Sequence, residues 1–416
     1  MLKKFIIITI AVVSHFPVWT QTTLTNTDGL LHIDSNASIY VEGDVLVEGT
    51  GLIENSGTIF VQNNWTNNSL FNVFSGSLPG TVELMGGNQS IRGSNPTRFY
   101  SLVTSNPAHK SIEVDTWVEK ELDIQNSEIQ LNSNRLQLVN PDPNSLTWNN
   151  GFIAGDSIGG YFLRSVNSTQ TYWFPVGNNL LANSYRAVSF LPRSSDSTVI
   201  GVRLAAENAE FDFTGTSVTG AAGPYPFSQR AANIAGANTN FYHHIARFYG
   251  TANGISSIYY FDSDEIGPSE FNSISQWKNS SNRWEVDDFD QNTSVSIPSI
   301  GTPENVMFAQ SLDFTNDIYA LTVRRELDIL VPQIFSPNND GVNDVLLALG
   351  DDIVSFQLLI YNRWGELVFE STDPNKGWDG KFKGSNAQQG VYVYVLNAEL
   401  KDIGEVNKKG DITLVR

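Results

Sequence analysis

A short polar stretch, SPNNDGVND at residues 336–344, combines residue types and a spacing that could bind a metal ion. Closely spaced oxygen-bearing side chains around a glycine are typical of calcium loops. If Gly341 takes the sixth position of an EF-hand, oxygen-bearing residues fall at the first, third and fifth positions, which fits calcium ligation. The twelfth position is then Leu347, where an EF-hand has a bidentate glutamate, so the stretch is not an EF-hand.

Two local alternatives remain for this stretch. The first is a smaller calcium site, to which the fold could add Asp379, with ligands from Asn338, Asp340, Asn343 and Asp344. The second is a tight turn in which residues 339–341 supply a positive φ and the polar side chains cap backbone groups. Calcium, as an optional stabiliser, is the one cofactor that these residues suggest.

The rest of the chain offers little catalytic chemistry. It has no cysteine and five histidines, and it lacks the usual nucleophile, zinc and phosphate-loop motifs. His243 and His244 are adjacent, so on a strand they would point to opposite faces and could not both bind one metal ion. Acidic clusters at residues 262–265 and 285–290 would hydrolyse glycosides only at a suitable carboxylate separation, and we expect solvated faces instead. No catalytic residue, and no enzyme, is predicted.

Tryptophans offer a second kind of binding chemistry, because their faces can stack on sugar rings. The four in the middle of the chain are Trp148, Trp173, Trp277 and Trp284. Packing in a sandwich core is the competing interpretation, and we expect it for most of them.

The start of the chain predicts export. Residues 1–20 place Lys3 and Lys4 before an apolar run at 5–13, with a cleavage site after Thr20, as in a secretory signal peptide. The run is too short to span a bilayer, so we expect a soluble protein after the signal is removed. A formal charge of −19 argues against nucleic-acid binding, because phosphate recognition needs clustered Lys and Arg.

A repeat in residues 21–140 predicts a β-solenoid. The segments at 37–45 and 57–65 superpose at a spacing of 20 residues, and 80–88 is a looser third copy. Between residues 122 and 138 apolar residues recur every seven positions, so three units make one coil. Inward residues would then stack from rung to rung, with Asn, Ser and Gly at the corners. Antiparallel hairpins are the competing interpretation.

The middle of the chain predicts a second β-region. After a proline-containing seam at 141–145, residues 146–325 contain short strand-like pieces spaced by Gly, Asn and Ser turns. No helical period separates them, which favours a central β-sandwich. The whole chain is therefore expected to be all-β.

The last segment, residues 326–416, carries the most specific pattern. Its motif residues are Pro337, Asn338, Asp340, Gly341, Asn343, Asp344, Asn362, Arg363, Trp364, Gly365, Trp378, Asp379, Gly380, Gly390, Tyr392 and Arg416. In these motifs and their order the segment resembles the C-terminal sorting domain of Bacteroidetes proteins exported by the type IX secretion system. The resemblance is to the type B form, the gliding-motility-associated C-terminal domain, and under it the 336–344 stretch is part of an address label.

This resemblance implies partners and a role. The domain would direct the chain across the outer membrane, with the type IX secretion machinery and a dedicated outer-membrane protein as partners. We expect a small immunoglobulin-like sandwich of about seven strands, with a hairpin turn at 362–365 and Trp364 and Trp378 as packing and turn residues. The terminal strand ending in Arg416 is the predicted partner surface, because it is at the free end.

These observations together predict an exported, non-enzymatic protein, secreted or held at the cell surface, with an adhesive or structural role. The rival is a glycan-binding module or a glycan-active hydrolase that carries the same sorting domain. Paired carboxylates at the base of a groove would favour the hydrolase. Flat strand faces with exposed aromatic residues would favour the adhesive protein and its surface glycan or protein ligand.

Overall fold

The computed structural model of this chain is built from β-strands. It describes residues 20–21, 23–75, 78–155, 159–181, 185–212, 223–264, 271–286, 305–311, 314 and 317–416. Within these ranges there is no α-helix, and short 3-10 turns lie at Pro143–Ser145, Ala209–Phe211 and Asp262–Asp264. The predicted all-β fold is confirmed.

The first part of the chain is a β-solenoid of about six turns. Its strands are β1 (Thr20–Gln21), β2 (Leu24–Asn26), β3 (Leu30–Ile33), β4 (Ser38–Val41), β5 (Val45–Gly49), β6 (Leu52–Asn55), β7 (Thr58–Val61), β8 (Trp65–Ser69), β9 (Thr81–Leu84), β10 (Gln89–Gly93), β11 (Thr97–Thr104), β12 (His109–Ile112), β13 (Thr116–Asp123), β14 (Glu128–Gln130), β15 (Arg135–Leu138), β16 (Leu146–Thr147) and β17 (Phe152–Ala154). One face stacks β1, β4, β7, β9, β11, β13 and β15; a second stacks β2, β5, β8, β10, β12, β14 and β17; a third pairs β3 with β6.

The register of the solenoid follows the repeat seen in the sequence. Ile39 on β4 pairs with Ile59 on β7, at the predicted spacing. On the next face Val45 pairs with Trp65. Both ladders are parallel, so the alternative of antiparallel hairpins is wrong for this region. Ile59 and Trp65 are fully buried, since residues of one parity point inward and stack on the next rung.

Asparagine and glycine form the corners of the coil, as expected. The buried Asn55 side chain donates to the Thr81 carbonyl at 3.1 Å and accepts from the Gly57 N–H at 3.1 Å. A Cβ on Gly57 would lie 2.1 Å from the Ala37 carbonyl oxygen of the preceding rung, so the corner admits no side chain there. Each corner amide therefore satisfies backbone groups that the turn leaves without strand partners.

The central region adds two antiparallel sheets. Its strands are β18 (Tyr161–Val166), β19 (Tyr172–Phe174), β20 (Val188–Pro192), β21 (Thr198–Ala205), β22 (Ile234–Ala237), β23 (Tyr242–Tyr249), β24 (Gly254–Tyr260), β25 (Ser273–Lys278), β26 (Arg283–Val286), β27 (Asn305–Ser311) and β28 (Ile318–Arg324). One sheet runs β18-β21-β23-β28-β25-β26 and the other β19-β20-β24-β27, which is consistent with the predicted β-sandwich. The first sheet continues the solenoid, because β15 pairs in parallel with β18 and places Leu136 beside Phe162.

The chain divides into two compact units. The passenger unit comprises the chain up to Arg230 together with Gly236–Val323, and the C-terminal unit comprises Ala231–Ala235 with Arg324–Arg416. The strands of residues 324–416 are β29 (Ile334–Phe335), β30 (Ile353–Tyr361), β31 (Leu367–Ser371), β32 (Lys381–Phe382), β33 (Ser385–Asn386), β34 (Gly390–Leu400) and β35 (Gly404–Leu414). Five form a sheet in the order β29-β35-β34-β30-β31, and β32 pairs with β33.

One face of this five-stranded sheet is buried. Side chains alternate along β34, so that Tyr392, Tyr394 and Leu396 point into the core while Val391 and Val393 are exposed. Trp378 and Phe335 cover the buried face, together with apolar residues of 329–349. The hairpin predicted around 362–365 is confirmed, since β30 and β31 pair antiparallel on either side of it.

Candidate functional site

The loop at 336–344 is folded by its own side chains. The Asp344 carboxylate accepts hydrogen bonds from the backbone N–H groups of Asn339 and Gly341, at 2.6 and 2.9 Å. Asn339 and Gly341 have positive φ values of 65° and 89°. Both carboxylate oxygens of Asp344 therefore hold a turn, which is what the capping alternative predicts.

Asp340 repeats this pattern within the same loop. Its carboxylate accepts from the Asn338 side-chain amide at 2.9 Å and from the Val342 N–H at 2.7 Å, and these bonds hold the pKa of Asp340 below its ordinary value. In the described ranges no group of three or more His, Asp and Glu side chains is placed to hold a metal ion. Asp379 accepts from the N–H of Lys381 at 3.0 Å, within its own turn. The calcium site stays a prediction.

The turn between β30 and β31 is built around one asparagine. Asn362 Oδ1 accepts from the backbone N–H groups of Trp364 and Glu366, at 2.9 and 3.0 Å. The N–H of Gly365, whose φ is 78°, donates to the Asn362 carbonyl at 2.9 Å. Lys383 Nζ lies 2.9 Å from Glu366 and ties this turn to the segment after β32. The turn is thus fixed on both sides by hydrogen bonds.

The two motif tryptophans have opposite environments. Trp378 is 1% exposed, donates from Nε1 to the Lys381 carbonyl at 2.8 Å and packs edge-on against Tyr392 at 4.8 Å, so its predicted packing role is confirmed. Trp364 is 81% exposed, with the Arg363 guanidinium 5.4 Å from its ring centroid. Trp364 is a turn residue, as predicted, but it has no packing role in the core, because the turn directs its side chain into solvent.

The terminal strand β35 pairs with β34 along its whole length, and on its other side β29 pairs only with Thr413 and Leu414. β35 lies between β29 and β34, and Arg416 just beyond it donates to the carbonyls of Gly380 and Ala387, at 2.9 and 2.8 Å. A Cβ on Gly380, whose φ is 71°, would lie 2.6 Å from Pro337. Gly390 opens β34 with a φ of 145°. Arg416 is thus tied within the unit, whereas among the described residues the outer edge of β35 before Thr413 has no strand partner, so the terminal strand stays a predicted partner surface.

Residues 329–414 match the family model of the CHU_C type IX secretion signal domain. The matched range includes the loop at 336–344, the turn at 362–365 and every predicted motif residue except Arg416. This part of the C-terminal unit is a type IX secretion signal domain. It corresponds to the type B sorting domain expected from the motifs. No curated protein and no solved structure matches the chain.

A type IX secretion signal domain implies that the protein crosses the outer membrane to the cell surface or the medium, and that it interacts with the secretion machinery. In the part of the chain that the structure describes, no helix has the length and apolar character needed to cross a membrane. The predicted signal peptide, residues 1–20, lies outside the described residues apart from Thr20, whose side chain is not described either.

The two adjacent histidines of the passenger unit lie on β23 and have different partners, as predicted for a strand. His243 is buried and donates to the Arg186 carbonyl at 3.2 Å. His244 Nε2 accepts from Arg203, so its Nδ1 carries the proton and faces Asp317 at 3.5 Å. Burial lowers the pKa of His243 to about 3 and that of His244 to about 4, which keeps both rings neutral at pH 7. Both rings are thus held by buried polar partners.

The four middle tryptophans do not form a common platform. Trp277 and Trp284 are buried at 3% and 0% exposure, so core packing is confirmed for them. Trp148 and Trp173 are half-buried with ring centroids 6.4 Å apart, and Trp173 also contacts Tyr259.

Described residues of the two acidic clusters, at 262–265 and 285–290, form ion pairs of different kinds. Asp264 forms a buried ion pair with Arg186 at 2.6 Å, and Glu285 lies 3.0 Å from Arg283. Residues 265 and 287–290 of these clusters lie outside the described residues. The Arg186–Asp264 pair spans 78 positions and had no signal in the sequence, because neither residue lies in a motif.

Proposed function

We propose that this protein is a non-enzymatic adhesive or structural protein of the cell surface or the surrounding medium. The passenger unit is the working part and the C-terminal unit is the export label. The observation that carries the proposal is a solenoid face with outward side chains in register. On β11, β13 and β15, the residues Arg98, Trp117 and Gln137 stand side by side.

This outer column is tied together by its own contacts. The Arg98 guanidinium lies 4.8 Å from the Trp117 ring centroid, and Trp117 Nε1 donates to Gln137 at 3.1 Å. Nearer the start of the solenoid, Tyr40 and Phe60 form a second half-buried aromatic pair in register. Ordered aromatic and cationic groups spread over a strand face support binding over an area, as an adhesive or assembling surface requires.

The hydrolase alternative is less well supported. A hollow of about 570 Å³ is lined by Glu128 and Glu207, the carboxylates that such an enzyme would use. Glu128 already accepts from His109 at 2.7 Å, from Gln130 at 3.1 Å and from Asn179. Burial raises the pKa of Glu207. Three partners fix the Glu128 carboxylate in place, which argues against a role as nucleophile, whereas the raised pKa of Glu207 is a feature that a general acid would share.

A glycan-binding module is the second candidate, and one feature favours it. A hollow of about 300 Å³ on the solenoid is lined by the aromatic side chains of Phe74 and Tyr100, beside Arg98, Glu119 and Asn72. Arg98 and Glu119 form an ion pair across its wall. Aromatic faces combined with charged and amide groups are the chemistry that sugars require.

Attachment of cells tests the adhesive proposal. A strain lacking the protein is complemented with the full chain or with Trp117→Ala, and attachment to glass and to other cells is measured under flow. We expect several-fold lower attachment for Trp117→Ala at equal surface abundance, with Gln130→Ala on another solenoid face as the matched control. Equal attachment of the deletion strain and the complemented strain would contradict the adhesive role.

Two assays on the purified full-length protein distinguish the glycan-binding candidate from the hydrolase. On a glycan array, binding that is lost in Tyr100→Ala would favour the glycan-binding candidate. Incubation with labelled polysaccharides should give no cleavage. Cleavage that disappears in Glu128→Gln would establish the hydrolase instead.

The export route also includes a proposed first step. Residues 1–20 take the chain across the inner membrane and are then removed, and a dedicated outer-membrane protein receives the C-terminal unit. N-terminal sequencing of the exported protein should begin after Thr20. Recovery of exported protein with Lys3 and Lys4 still present would contradict this step.

A further inference from the structure

The most exposed aromatic side chain of the C-terminal unit lies on a turn that is held rigid. Trp364 is 81% exposed, so most of its apolar surface remains in water. Its backbone is fixed by Asn362, whose side chain accepts from the N–H groups of Trp364 and Glu366. A tryptophan in this position adds nothing to the core of the unit, and the turn would form around a smaller residue equally well.

The surface next to Trp364 is concave. A hollow of about 310 Å³ lies beside it, with a lining that includes Val368, Phe382, Val391 and Tyr392. Val391 is 55% exposed on the sheet face that does not meet the core. The lining also includes Asn386, Gln388 and Gln389, so an exposed tryptophan lies beside a hollow of mixed polar and apolar character, a combination typical of protein–protein interfaces.

The charge of Arg363 indicates which kind of protein surface would bind beside Trp364. Arg363 lies over the Trp364 ring and contacts Gln388 at 3.2 Å. Among the described residues Arg363 has no carboxylate partner, whereas Lys383 is paired with Glu366. The matching surface is therefore an apolar cleft for the indole with a carboxylate at its rim for the guanidinium.

We propose that Arg363 and Trp364, with the adjoining hollow, form the docking surface by which a protein component of the type IX secretion machinery recognises this chain. The inference rests on the secretion signal identified in residues 329–414, which requires such a contact, and not on the adhesive role of the passenger unit. Tryptophan and arginine are the residue types that dominate interface energetics, and a fixed turn lowers the entropic cost of binding.

Export of full-length variants tests the proposal. The chain is expressed in a type IX-competent strain and in a secretion-deficient strain, and the extracellular and surface fractions are quantified by immunoblot. Trp364→Ala should lower the exported fraction about tenfold or more, Arg363→Glu should lower it several-fold, and Trp364→Phe should retain most of it. Val354→Ala removes another exposed apolar side chain of the same unit and should change nothing.

Two further measurements separate docking from folding and from self-association. Purified Trp364→Ala should unfold at the temperature of the natural chain, because its indole is exposed. A photoreactive amino acid at position 364 should cross-link to an outer-membrane component of the secretion machinery, and the same probe at position 354 should not. Normal export of Trp364→Ala would overturn the proposal. A cross-link formed solely to a second copy of this chain would overturn it as well and would assign the surface to self-association.

Discussion

The two units differ in where they keep their charged groups. Among its described residues, the passenger unit buries ten lysine, arginine, histidine, aspartate and glutamate residues, namely Lys110, Glu128, Arg164, Arg186, Arg203, Asp212, His243, His244, Asp264 and Asp317. In residues 324–416, Ser371 is the one buried polar residue, and the ion pairs lie at the surface. The passenger unit therefore depends on partners deep inside the fold, whereas the C-terminal unit has an apolar core and keeps its polar and charged residues for turns and recognition.

Of the substitutions proposed here, the one that breaks a buried ion pair of the passenger unit should cause the largest loss of stability. Asp264→Ala leaves the Arg186 guanidinium buried without its carboxylate, which should cost about 3–5 kcal/mol of the free energy of unfolding. Denaturant unfolding of the full chain, followed by hydrogen exchange in peptides of the passenger unit, measures it. Asp264→Asn is the milder control. A loss below about 1 kcal/mol would mean that the pair is not buried in solution.

The two units should also differ in their stability toward acid. The unfolded chain has ordinary histidines of pKa 6.5, but burial lowers the pKa of His243 to about 3 and of His244 to about 4. Between pH 6.5 and these lowered pKa values the unfolded chain binds more protons than the folded chain, so the passenger unit loses several kcal/mol of stability as the pH falls from 6.5 toward 4.

The C-terminal unit should respond at lower pH. Hydrogen bonds to Asn338 and to Lys383 lower the pKa values of Asp340 and Glu366, so their contributions persist until the pH falls through those lowered values. Hydrogen exchange at pH 7, 5.5 and 4.5 should therefore show the passenger unit opening first. If both units opened at the same pH, the predicted difference in acid stability between them would be wrong.

The turn at 336–344 gives a smaller effect. Asp344→Ala removes the acceptor of two backbone N–H groups and should cost about 1 kcal/mol. Thermal unfolding with and without added calcium then distinguishes the two predicted roles. Capping alone gives the same loss in both conditions, whereas a calcium site gives a calcium-dependent rise in melting temperature that Asp344→Ala abolishes.

The smallest effect is expected for a surface ion pair of the C-terminal unit. Glu366→Gln removes the charge that faces Lys383, and exposed pairs contribute less than about 1 kcal/mol. The melting temperature should hardly change, and the small change should vanish in high salt. A loss as large as that of Asp264→Ala would show that this unit also relies on its ion pairs.

The sequence predicted the solenoid well because its signal is local and repeated. Ile39 and Ile59 occupy equivalent places in the repeat, and the same residues pair in the ladder. The direction of Trp364 was not predictable in the same way, since residue type alone does not say whether a turn points inward or outward. The pairing of β29 with the end of β35 was not predictable either, since it is set by contacts distant in sequence.

The central claim is that the C-terminal unit is the address and the passenger unit is the cargo. A stop codon after Arg325 removes residues 326–416 and leaves β28 intact. In a type IX-competent strain the full chain should reach the surface or the medium, while the shortened chain should stay inside the cell in a protease-resistant form. Export of the shortened chain at the level of the full chain would contradict the division of roles between the two units.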